Sequence, residues 1–488
     1  MDVGISSYDG YIPKLRLSRA AIADANSWLN PALRAQSEGT RAMASWDEDS
    51  LTMAVEAGRR VIQGPGADII EGFYLASTTL PYEDRLNAGI AAGAISLKAE
   101  IQAFDLGGSQ RAGTSALLNA LAATQAGMQK SALVVASEKR RAPAGSPQEM
   151  QYGDAAAACV VSAEDVVARF IGSHTSNVDF VDHFRGRGAD FDYYWEDRWI
   201  RDEGWKKIVP KTIEEALSRN GIQADKVSRF IMPCPFRGLA EKTAKRMGFV
   251  RAIVQESLNA HIGDAGVAQP LLMLNLALEQ AEPGDILMLV SFGQGCDVLF
   301  FEATDALVRT RPAIGVQAEL DAGSEETNYM KYLVFNDLVA YHKGMRAEFD
   351  RKASLSAVYR QGALLSDLTG GICTKCETPQ LPSARLCVSC GSIDSQQPYR
   401  FSHRQGTILS WSADYLTHSI DPPNHYGMIE FEGGGRLMMD ITDIDPGEAK
   451  NDLRVGMVYR VKDIDAQRGY RRYFWKARPL THSTEGSV

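Results

Sequence analysis

Four cysteines near residue 380 carry the clearest chemical pattern in the chain. They form two Cys-x-x-Cys pairs, Cys373 with Cys376 and Cys387 with Cys390. Four thiolates at this spacing can surround one zinc ion, at zinc–sulfur distances of about 2.3 Å. A closed set of four thiolates leaves no position for a substrate, so the pattern predicts a structural zinc ribbon. Two disulfides are the alternative, which the three further cysteines of the chain make less favoured.

The overall composition argues against two classes of partner. The chain has 488 residues, of which 45% are hydrophobic and 23% charged, and its formal net charge is −9. A negative net charge opposes binding to nucleic acid or to an anionic membrane surface. No apolar run reaches the roughly 18 residues that a membrane helix needs. The first residues also lack the basic and apolar regions of a signal peptide. We therefore expect a cytoplasmic protein that binds neither nucleic acid nor membrane.

Residues 1–305 alternate apolar strand-like segments with helical ones, which predicts an α/β fold. In the first half, a strand at 101–106 leads through a glycine-containing loop into a helix. In the second half, an apolar helix at 270–280 is followed by a turn and by a buried strand at 286–291. Each half then continues through a glycine turn into another apolar strand. This repetition predicts an internal duplication.

The rest of the chain predicts a second part of different construction. Residues 306–360 read as a polar linker and a helical segment, and residues 361–395 contain the cysteine pairs. Residues 396–488 hold short alternating strands separated by turns, which is typical of a small all-β barrel. We expect the order α/β domain, linker, zinc ribbon and barrel.

Several motifs in residues 1–305 resemble those of 3-hydroxy-3-methylglutaryl-CoA synthase of the archaeal and bacterial type. The matching segments include Gly10-Tyr-Ile-Pro13, Arg111-Ala-Gly-Thr114, Ala244-Lys-Arg-Met-Gly-Phe249 and Val290-Ser-Phe-Gly293. The resemblance implies a thiolase-like domain of five layers, α/β/α/β/α, built from a duplicated unit. It also implies an acyl-CoA substrate, with coenzyme A as substrate or product. A homodimer is expected too, because thiolase-fold enzymes build their active sites beside a two-fold interface.

Residues 360–480 resemble the zinc-ribbon and OB-fold proteins that accompany thiolase-type enzymes. The match consists of the four cysteines, Gly406-Thr-Ile-Leu-Ser410, Leu453-Arg-Val-Gly-Met457 and the closing segment around Trp475. In that family the two modules often lie on separate chains and share a CoA channel. Here the sequence joins them, and the resemblance implies an OB-fold barrel after the ribbon.

The three catalytic residues of the synthase family are not retained. By resemblance, the position of the catalytic cysteine holds Gln110, that of the glutamate holds Thr78 and that of the histidine holds Pro233. An amide is not a covalent nucleophile, and neither threonine nor proline works as a general acid or base at neutral pH. We therefore do not expect the acyl-enzyme chemistry of the synthases.

Gln110 is a candidate for catalysis without a covalent intermediate. It resembles the glutamine of decarboxylating condensing enzymes, in which an oxyanion hole holds a thioester carbonyl or an enolate. A polar filler in an inactive site is the alternative. Thr78 and Gly293 are expected beside it as substrate-binding residues.

Three other residues are candidates for the missing acid, base or nucleophile. A histidine titrates near neutral pH, and Asp264 is close enough to His261 in sequence to orient it. A surface histidine fits the same residues equally well. Cys234, which lies between two prolines, is a candidate for a relocated nucleophile.

Residues 180–205 contain eight aromatic side chains, Tyr194 and Trp195 among them. So dense a cluster could line a pocket for a bulky or aryl acyl group, and these two residues are the candidates for substrate binding. A packed insertion or a subunit contact is the alternative interpretation.

The sequence thus predicts a CoA-thioester enzyme that makes or cleaves a carbon–carbon bond beside the thioester carbonyl, without a cysteine acyl-enzyme. Retro-aldol, retro-Claisen and decarboxylative reactions all need an oxyanion hole for an enolate and one acid or base. Two alternatives stay open. One is a non-catalytic scaffold that binds CoA esters for a partner enzyme, and the other is an acyltransferase that uses Cys234.

Overall fold

The chain forms two compact units in a computed structural model, which describes residues 2–63, 66–348, 350, 352, 354–445 and 447–480. The first unit comprises Met1–Ser45, Asp49–Ala92 and Leu97–Leu338. The second comprises Trp46–Glu48, Gly93–Ser96 and Val339–Val488.

The first unit is built from strands and helices in alternation. Its strands are β1 (Gly4–Tyr11), β2 (Leu15–Ser18), β3 (Thr40–Met43), β4 (Gly72–Ala76), β5 (Gln102–Leu106), β6 (Ser131–Glu138), β7 (Ala155–Ser162), β8 (Ala168–Asn177), β9 (His183–Phe184), β10 (Tyr193–Tyr194), β11 (Arg229–Ile231), β12 (Ile253–Val254), β13 (Ile286–Phe292), β14 (Gly295–Ala303) and β15 (Ser324–Glu326).

The helices that begin in this unit are α1 (Arg19–Asn26), α2 (Ser50–Val61), α3 (Asn87–Ile95), α4 (Ala112–Gln125), α5 (Pro147–Gln151), α6 (Asp197–Trp199), α7 (Val209–Asn220), α8 (Leu239–Arg246), α9 (Gln269–Glu279), α10 (Val316–Asp321) and α11 (Tyr329–Phe335). Short 3₁₀ helices occupy Pro31–Gln36, Ala67–Ile69, Ala224–Lys226, Gly266–Ala268 and Asp305–Val308, and Ile200–Ile208 is π-helical.

The main sheet has the strand order β12-β11-β13-β14-β8-β1-β7-β6-β4-β5. Each half of the unit supplies five adjacent strands. Numbered by chain order within each half, both sets read 3-2-4-5-1 from the edge inward. The directions agree as well, because β4 pairs in parallel with β5 and β6, and β11 pairs in parallel with β12 and β13. This shared order and direction confirm the predicted duplication.

Five layers follow from the side chains that the strands present on their two faces. Along β13, Leu287 and Leu289 belong to the core cluster around α9, whereas Met288 and Val290 belong to the cluster around α7. Such alternation is what a strand covered on both faces requires. Helices α4 and α9 form the middle layer, α2 covers the first half and α7 the second. The predicted α/β/α/β/α arrangement is confirmed.

The segment after residue 305 departs from the expected linker. Residues 306–338 belong to the first unit. β15 pairs in parallel with β2, where Ser324 faces Leu15, and Val316 at the start of α10 is buried in the core cluster around α9. The polar composition that suggested a linker reflects the exposed faces of these short elements.

The second unit contains a small three-stranded sheet and a five-stranded one. Its elements are α12 (Leu355–Arg360), α13 (Gly362–Asp367), β16 (Thr369–Cys373), β17 (Pro379–Gln380), β18 (Gln396–Arg400), β19 (Gly406–Asp414), β20 (Asn424–Phe431), β21 (Arg436–Asp440), β22 (Arg454–Asp465), β23 (Tyr470–Pro479) and a 3₁₀ helix at Met345–Ala347.

The five-stranded sheet closes into a barrel. Its order is β21-β20-β19-β22-β23, and a bridge between Ile441 and Ala477 brings the end of β21 to β23. Around the barrel the strands therefore follow one another as first, second, third, fifth and fourth, the OB-fold arrangement that the sequence predicts. Its strands carry the buried side chains Trp475, Ile429 and Phe431. Residues 481–488, at the end of the expected barrel, lie outside the described residues. In the part of the chain that the structure describes, no helix is long and apolar enough to cross a membrane.

Candidate functional site

Gln110 lies in the turn between β5 and the start of α4. The next residue fixes this turn to the other half of the unit. Arg111 Nη1 lies 2.7 Å from Asp297 Oδ1 on β14, and Arg111 Nε donates to the carbonyl of Gly293 at 2.9 Å. Thr114 Oγ1 donates to the second Asp297 oxygen at 2.7 Å. Asp297 is buried, so these charge-assisted bonds hold the start of α4 against β14.

Gly293 lies beside this turn for a steric reason. A Cβ atom at this position would lie 3.0 Å from the Arg111 nitrogen and 3.1 Å from Ser109 Oγ. Its own N–H donates to the carbonyl of Gly295 at 3.0 Å. Because glycine has no side chain, the backbone at Gly293 can approach the Gln110 turn closely.

His183 and Asp182 meet Gln110 from the segment that contains β9. His183 Nδ1 lies 3.2 Å from Asp182 Oδ1, and His183 Nε2 lies 3.4 Å from Gln110 Nε2. A proton on Nδ1 satisfies the first contact, which leaves the Nε2 lone pair to accept from the amide. The three side chains thus form a chain of carboxylate, imidazole and amide.

Two cavities meet at this chain. An outer cleft of about 460 Å³ is lined by Thr78 and Gly293, and an inner cavity of about 70 Å³ is lined by Cys234 and Asp264. Gln110, Asp182 and His183 line both. These three side chains consequently stand where a ligand in the cleft would reach the inner cavity.

Part of the inner wall comes from an irregular helix. Ile200 and Trp205 belong to the π-helical segment between α6 and α7, and both line the inner cavity. π-helical turns are frequent at functional sites. Tyr194 adds a third side, with its ring 6.0 Å from that of His183. Burial raises the pKa of Tyr194, so its hydroxyl is neutral.

Arg140 is the buried cation of the inner wall. Its guanidinium lies 3.2 Å from Asp264 and 3.8 Å from Asp192, and it stacks over the Tyr152 ring at 3.8 Å. Both carboxylates therefore already neutralise it. Asp192 also pairs with Arg185 at 2.8 Å.

Thr78 lies next to a buried carboxyl group. Its backbone N–H and its hydroxyl approach Glu138 Oε2, at 3.3 Å and 3.0 Å. Thr79 and Ser77 hydroxyls approach the other oxygen. Burial raises the pKa of Glu138 by more than Arg140 and these hydrogen bonds lower it.

The structure brings together most, though not all, of the predicted site residues. Gln110, Asp264, Cys234 and Tyr194 line the inner cavity, and Thr78 and Gly293 line the outer cleft. Two other predicted site residues lie outside both cavities.

His261 and Trp195 line neither of these cavities. The His261 side chain is 60% exposed, pairs with Glu256 at 3.3 Å and borders a separate cavity. Its loop turns the ring outward while Asp264, three residues on, points inward. Trp195 is 52% exposed and packs on Tyr193. The position of His261 agrees with the alternative of a surface histidine, and Trp195 lies outside the predicted substrate pocket.

Sequence reasoning missed His183 and Asp182. They lie 73 and 72 residues from Gln110 in the chain, inside the aromatic segment. The available signal was an acidic residue directly before a histidine. Neither spacing nor motif indicated that β9 would carry this pair to the Gln110 turn.

Comparison with known proteins gives the same picture as the topology. Hydroxymethylglutaryl-CoA synthase of Methanocella arvoryzae is 25% identical over 355 residues, which cover 70% of this chain and 98% of that protein. A crystal structure of HMG-CoA synthase complexed with CoA aligns with a TM-score of 0.61 at 16% identity, over 72% of this chain and 95% of that one. Residues 399–460 match the model of the ChsH2 C-terminal OB-fold domain. The chain joins a domain of thiolase-like fold, similar in sequence to HMG-CoA synthase, to an OB-fold domain.

A second solved structure extends the likeness beyond the synthases. OleA of Xanthomonas campestris, as a cysteine-to-serine variant with bound lauric acid and lauroyl-CoA, aligns with a TM-score of 0.54 at 18% identity. The alignment covers 62% of this chain and 99% of that one. At this level of identity the likeness shows a shared fold.

The three positions that the resemblance equates with the catalytic residues of the synthases all line these cavities. Gln110 lines both, Thr78 lines the outer cleft and Pro233 lines the inner cavity.

The four cysteines of the OB-containing unit are arranged to hold one metal ion. Their sulfur atoms all lie within 4.8 Å of one another. Cys373 and Cys390 sulfurs are 3.8 Å apart, and those of Cys376 and Cys387 are 3.5 Å apart. A tetrahedron with zinc–sulfur bonds of about 2.3 Å has sulfur–sulfur edges of about 3.8 Å. The donor set and its spacing fit zinc.

We expect one zinc per chain in the purified protein and a loss to near zero in Cys373→Ser. The variant should also melt at a lower temperature, because a structural zinc contributes folding free energy. Elemental analysis and a thermal scan measure both. Ser389→Ala, in the same ribbon, is the control that should keep its zinc, and a wild-type protein without metal would contradict the assignment.

We expect Cys234 to form no acyl adduct. Burial raises the pKa of this thiol to about 12, so near pH 7.5 roughly one thiol in 10⁴ to 10⁵ is ionised, and the thiolate is the nucleophilic form. Intact-mass measurement after incubation with acetyl-CoA tests this. A stoichiometric adduct mapped to Cys234 would instead restore the acyltransferase interpretation.

Proposed function

We propose that the synthase-like domain acts on CoA thioesters and makes or cleaves a carbon–carbon bond next to the thioester carbonyl without a covalent acyl-enzyme. The observation that carries this proposal is the chain Asp182–His183–Gln110 at the junction of the two cavities. It supplies an acid or base and a hydrogen-bond donor where the family would place its nucleophile.

Gln110 would bind the oxygen on which negative charge develops. One hydrogen of its amide nitrogen points to His183, and the second is available to a thioester oxygen. As the thioester becomes an enolate, its oxygen gains charge, so the same hydrogen bond becomes stronger in the transition state.

His183 would move the proton. A bound β-hydroxyl group would displace the Gln110 amide from Nε2, and in the cleavage direction Nε2 then takes the proton of this hydroxyl group while the bond between Cα and Cβ breaks. The bonding pair becomes the enolate of the shortened acyl-CoA, and the β-carbon leaves as an aldehyde or ketone. Asp182 orients the ring and stabilises the imidazolium that forms. The reverse sequence makes the same bond.

The charges of the inner wall favour a neutral acyl group. Arg140 is the cation among the described residues that line the inner cavity, apart from any protonated His183, and two carboxylates already pair with it. No such group is left to bind a carboxylate of a malonyl-type substrate. A retro-aldol or aldol reaction on a β-hydroxy acyl-CoA fits this wall better than a decarboxylation does.

The volume of the inner cavity favours a short acyl chain. A cavity that holds benzene measures about 150 Å³, about twice the roughly 70 Å³ found here. An aryl acyl group, which the aromatic segment suggests, does not fit inside this space. The outer cleft is large enough for the pantetheine end of coenzyme A, and the similar synthase structure is a complex with CoA.

We expect Gln110→Ala and His183→Ala each to lower turnover of β-hydroxybutyryl-CoA by at least tenfold. Loss of one oxyanion donor costs about 10²–10³ in kcat, and loss of a general acid or base about 10²–10⁴. Release of acetyl-CoA, followed by chromatography, measures the rate.

His261→Ala is the matched control, because this exposed histidine lies outside both cavities. It should retain wild-type turnover. Wild-type protein that binds CoA thioesters but cleaves or joins none of several β-hydroxy and β-keto candidates would favour the scaffold alternative. Turnover lost in His261→Ala and kept in His183→Ala would contradict the assignment of the base.

We also propose that two copies of the domain associate through β5. This strand ends the sheet on one side, and it leaves Phe104 42% exposed. An apolar edge strand with free backbone groups is a ready pairing surface. The homodimer expected from the resemblance would cover it.

We expect Phe104→Glu to raise the dimer dissociation constant at least tenfold, because a charge would be buried between two copies. Sedimentation velocity at micromolar concentration measures the association. Ile253→Glu, on the opposite edge strand β12, is the control that should leave it unchanged. A wild-type monomer at this concentration would contradict the proposal.

A further inference from the structure

Glu138 is a buried carboxyl group that the proposed reaction does not yet use. It ends strand β6, is fully buried, and lies directly behind Gln110. A Cβ atom placed on Gly266 would lie 2.7 Å from Gln110 Oε1 and 3.0 Å from Glu138 Cγ. The carboxyl group and the amide therefore flank the same point of the loop before α9.

The surroundings of Glu138 accommodate a neutral acid, with one backbone donor, the Thr78 N–H, at 3.3 Å from Oε2. Its two oxygens face the hydroxyl groups of Ser77, Thr78 and Thr79. Hydroxyl groups can donate or accept, so they accommodate a protonated carboxyl as readily as a carboxylate. Burial raises the pKa of Glu138, which favours the neutral form.

Thr78 connects this acid to the outer cleft. Its Oγ1 lies 3.0 Å from Glu138 Oε2, and the residue also lines the cleft beside Gln110 and His183. When Glu138 Oε2 carries the proton and donates to Thr78 Oγ1, the threonine hydroxyl is free to rotate its own hydrogen toward the cleft. Its backbone is held in place, because the Arg185 guanidinium donates to the Thr78 carbonyl.

We propose that Glu138 and Thr78 form a proton relay that delivers a proton to the α-carbon of the enolate. This inference rests on the proposed function. Thr78 Oγ1 gives its hydrogen to the enolate carbon, whose electron pair forms the new C–H bond, while Glu138 Oε2 gives its proton to Thr78 Oγ1. Glu138 is left as a carboxylate. The proton that His183 took from the β-hydroxyl passes to solvent, and solvent returns one through Thr78 to Glu138.

The relay separates two proton transfers that the synthase family assigns to other residues. His183 serves the oxygen on the β-carbon, and Thr78 serves the α-carbon. Thr78 is the group that touches the substrate, and Glu138 is a positioning and supply residue that acts through it. Thr78, at the position of the family's glutamate, would then transfer to the substrate the proton that Glu138 on β6 supplies.

Exchange of the α-hydrogens of acetyl-CoA in D₂O isolates this step from carbon–carbon bond cleavage. Proton NMR measures the exchange rate. We expect the exchange rate of Thr78→Val to be at least tenfold lower than that of wild type, because valine keeps the shape of threonine and removes the hydroxyl. The exchange rate of Thr78→Ser should stay within about threefold of wild type. The exchange rate of Glu138→Gln should fall as far as that of Thr78→Val, since an amide hydrogen is not released as a proton at neutral pH.

The double variant Glu138→Gln/Thr78→Val gives the decisive comparison. If the two residues act in one relay, the double variant should reduce the exchange rate no more than either single variant does. If their roles are independent, the two fold-reductions should multiply. His261→Ala is the control, and a thermal scan establishes that each variant folds. If Glu138→Gln does not fold, the Thr78→Ser and Thr78→Val pair still decides.

Two outcomes overturn the relay. Exchange retained in Thr78→Val, or losses that multiply in the double variant, would show that Glu138 and Thr78 support structure only, while cleavage by the wild type would still uphold the proposed function. A wild-type protein that neither exchanges nor cleaves would remove both proposals.

Discussion

The ion pair between Arg111 and Asp297 is the constraint on which the site depends. Arg111 opens α4 in the first half of the duplicated domain, and Asp297 lies on β14 in the second. The Asp297 carboxylate also accepts from Thr114 and from Thr175 Oγ1 at 2.8 Å. Removing one partner of a buried pair costs about 3–5 kcal/mol, because the other charge is left without compensation. The pair acts together with the bonds from Arg111 Nε and Ser109 Oγ to the Gly293 carbonyl, at 2.9 Å and 2.8 Å, which hold the Gln110 turn beside Gly293.

The same constraint gives a structural role to two residues of the motif after Gln110. Arg111 and Thr114 are among the residues that make this sequence resemble the synthases, and both bind Asp297. Gln110, directly before them, faces the cavities and does not bind Asp297. The fold therefore requires the positions after 110, whereas residue 110 itself can change with the reaction.

Much of the architecture could be predicted from local patterns. Buried apolar runs such as β6 and β7 read directly as strands covered on both faces, and the glycine turns of the two halves indicated the duplication. The segment 306–338 could not be read in this way, because pairing of β15 with β2 joins residues more than 300 positions apart. Its short elements show too little periodicity to be distinguished from a linker.

The site was predictable only where a residue lies on a motif. Gln110, Thr78 and Gly293 line these cavities, and their places could be predicted because neighbouring residues of the motifs fix them. His183 was not found, since its role comes from the position of β9 beside the Gln110 turn, and His261 was chosen because it is close in sequence to Asp264. Proximity along a loop does not set side-chain direction, and here the two side chains leave on opposite sides.

The duplication also has an electrostatic result at the inner cavity. Helices α4 and α9 occupy equivalent places in the two halves, between the third and fourth strands of each. Gln110 precedes the first, and Gln269 and Pro270 begin the second, and all three line the inner cavity. A helix carries about half a positive charge at its N-terminus, so two such ends converge on one small space. One ancestral helix, copied once and brought face to face with itself, provides a field that favours negative charge before any individual side chain is chosen.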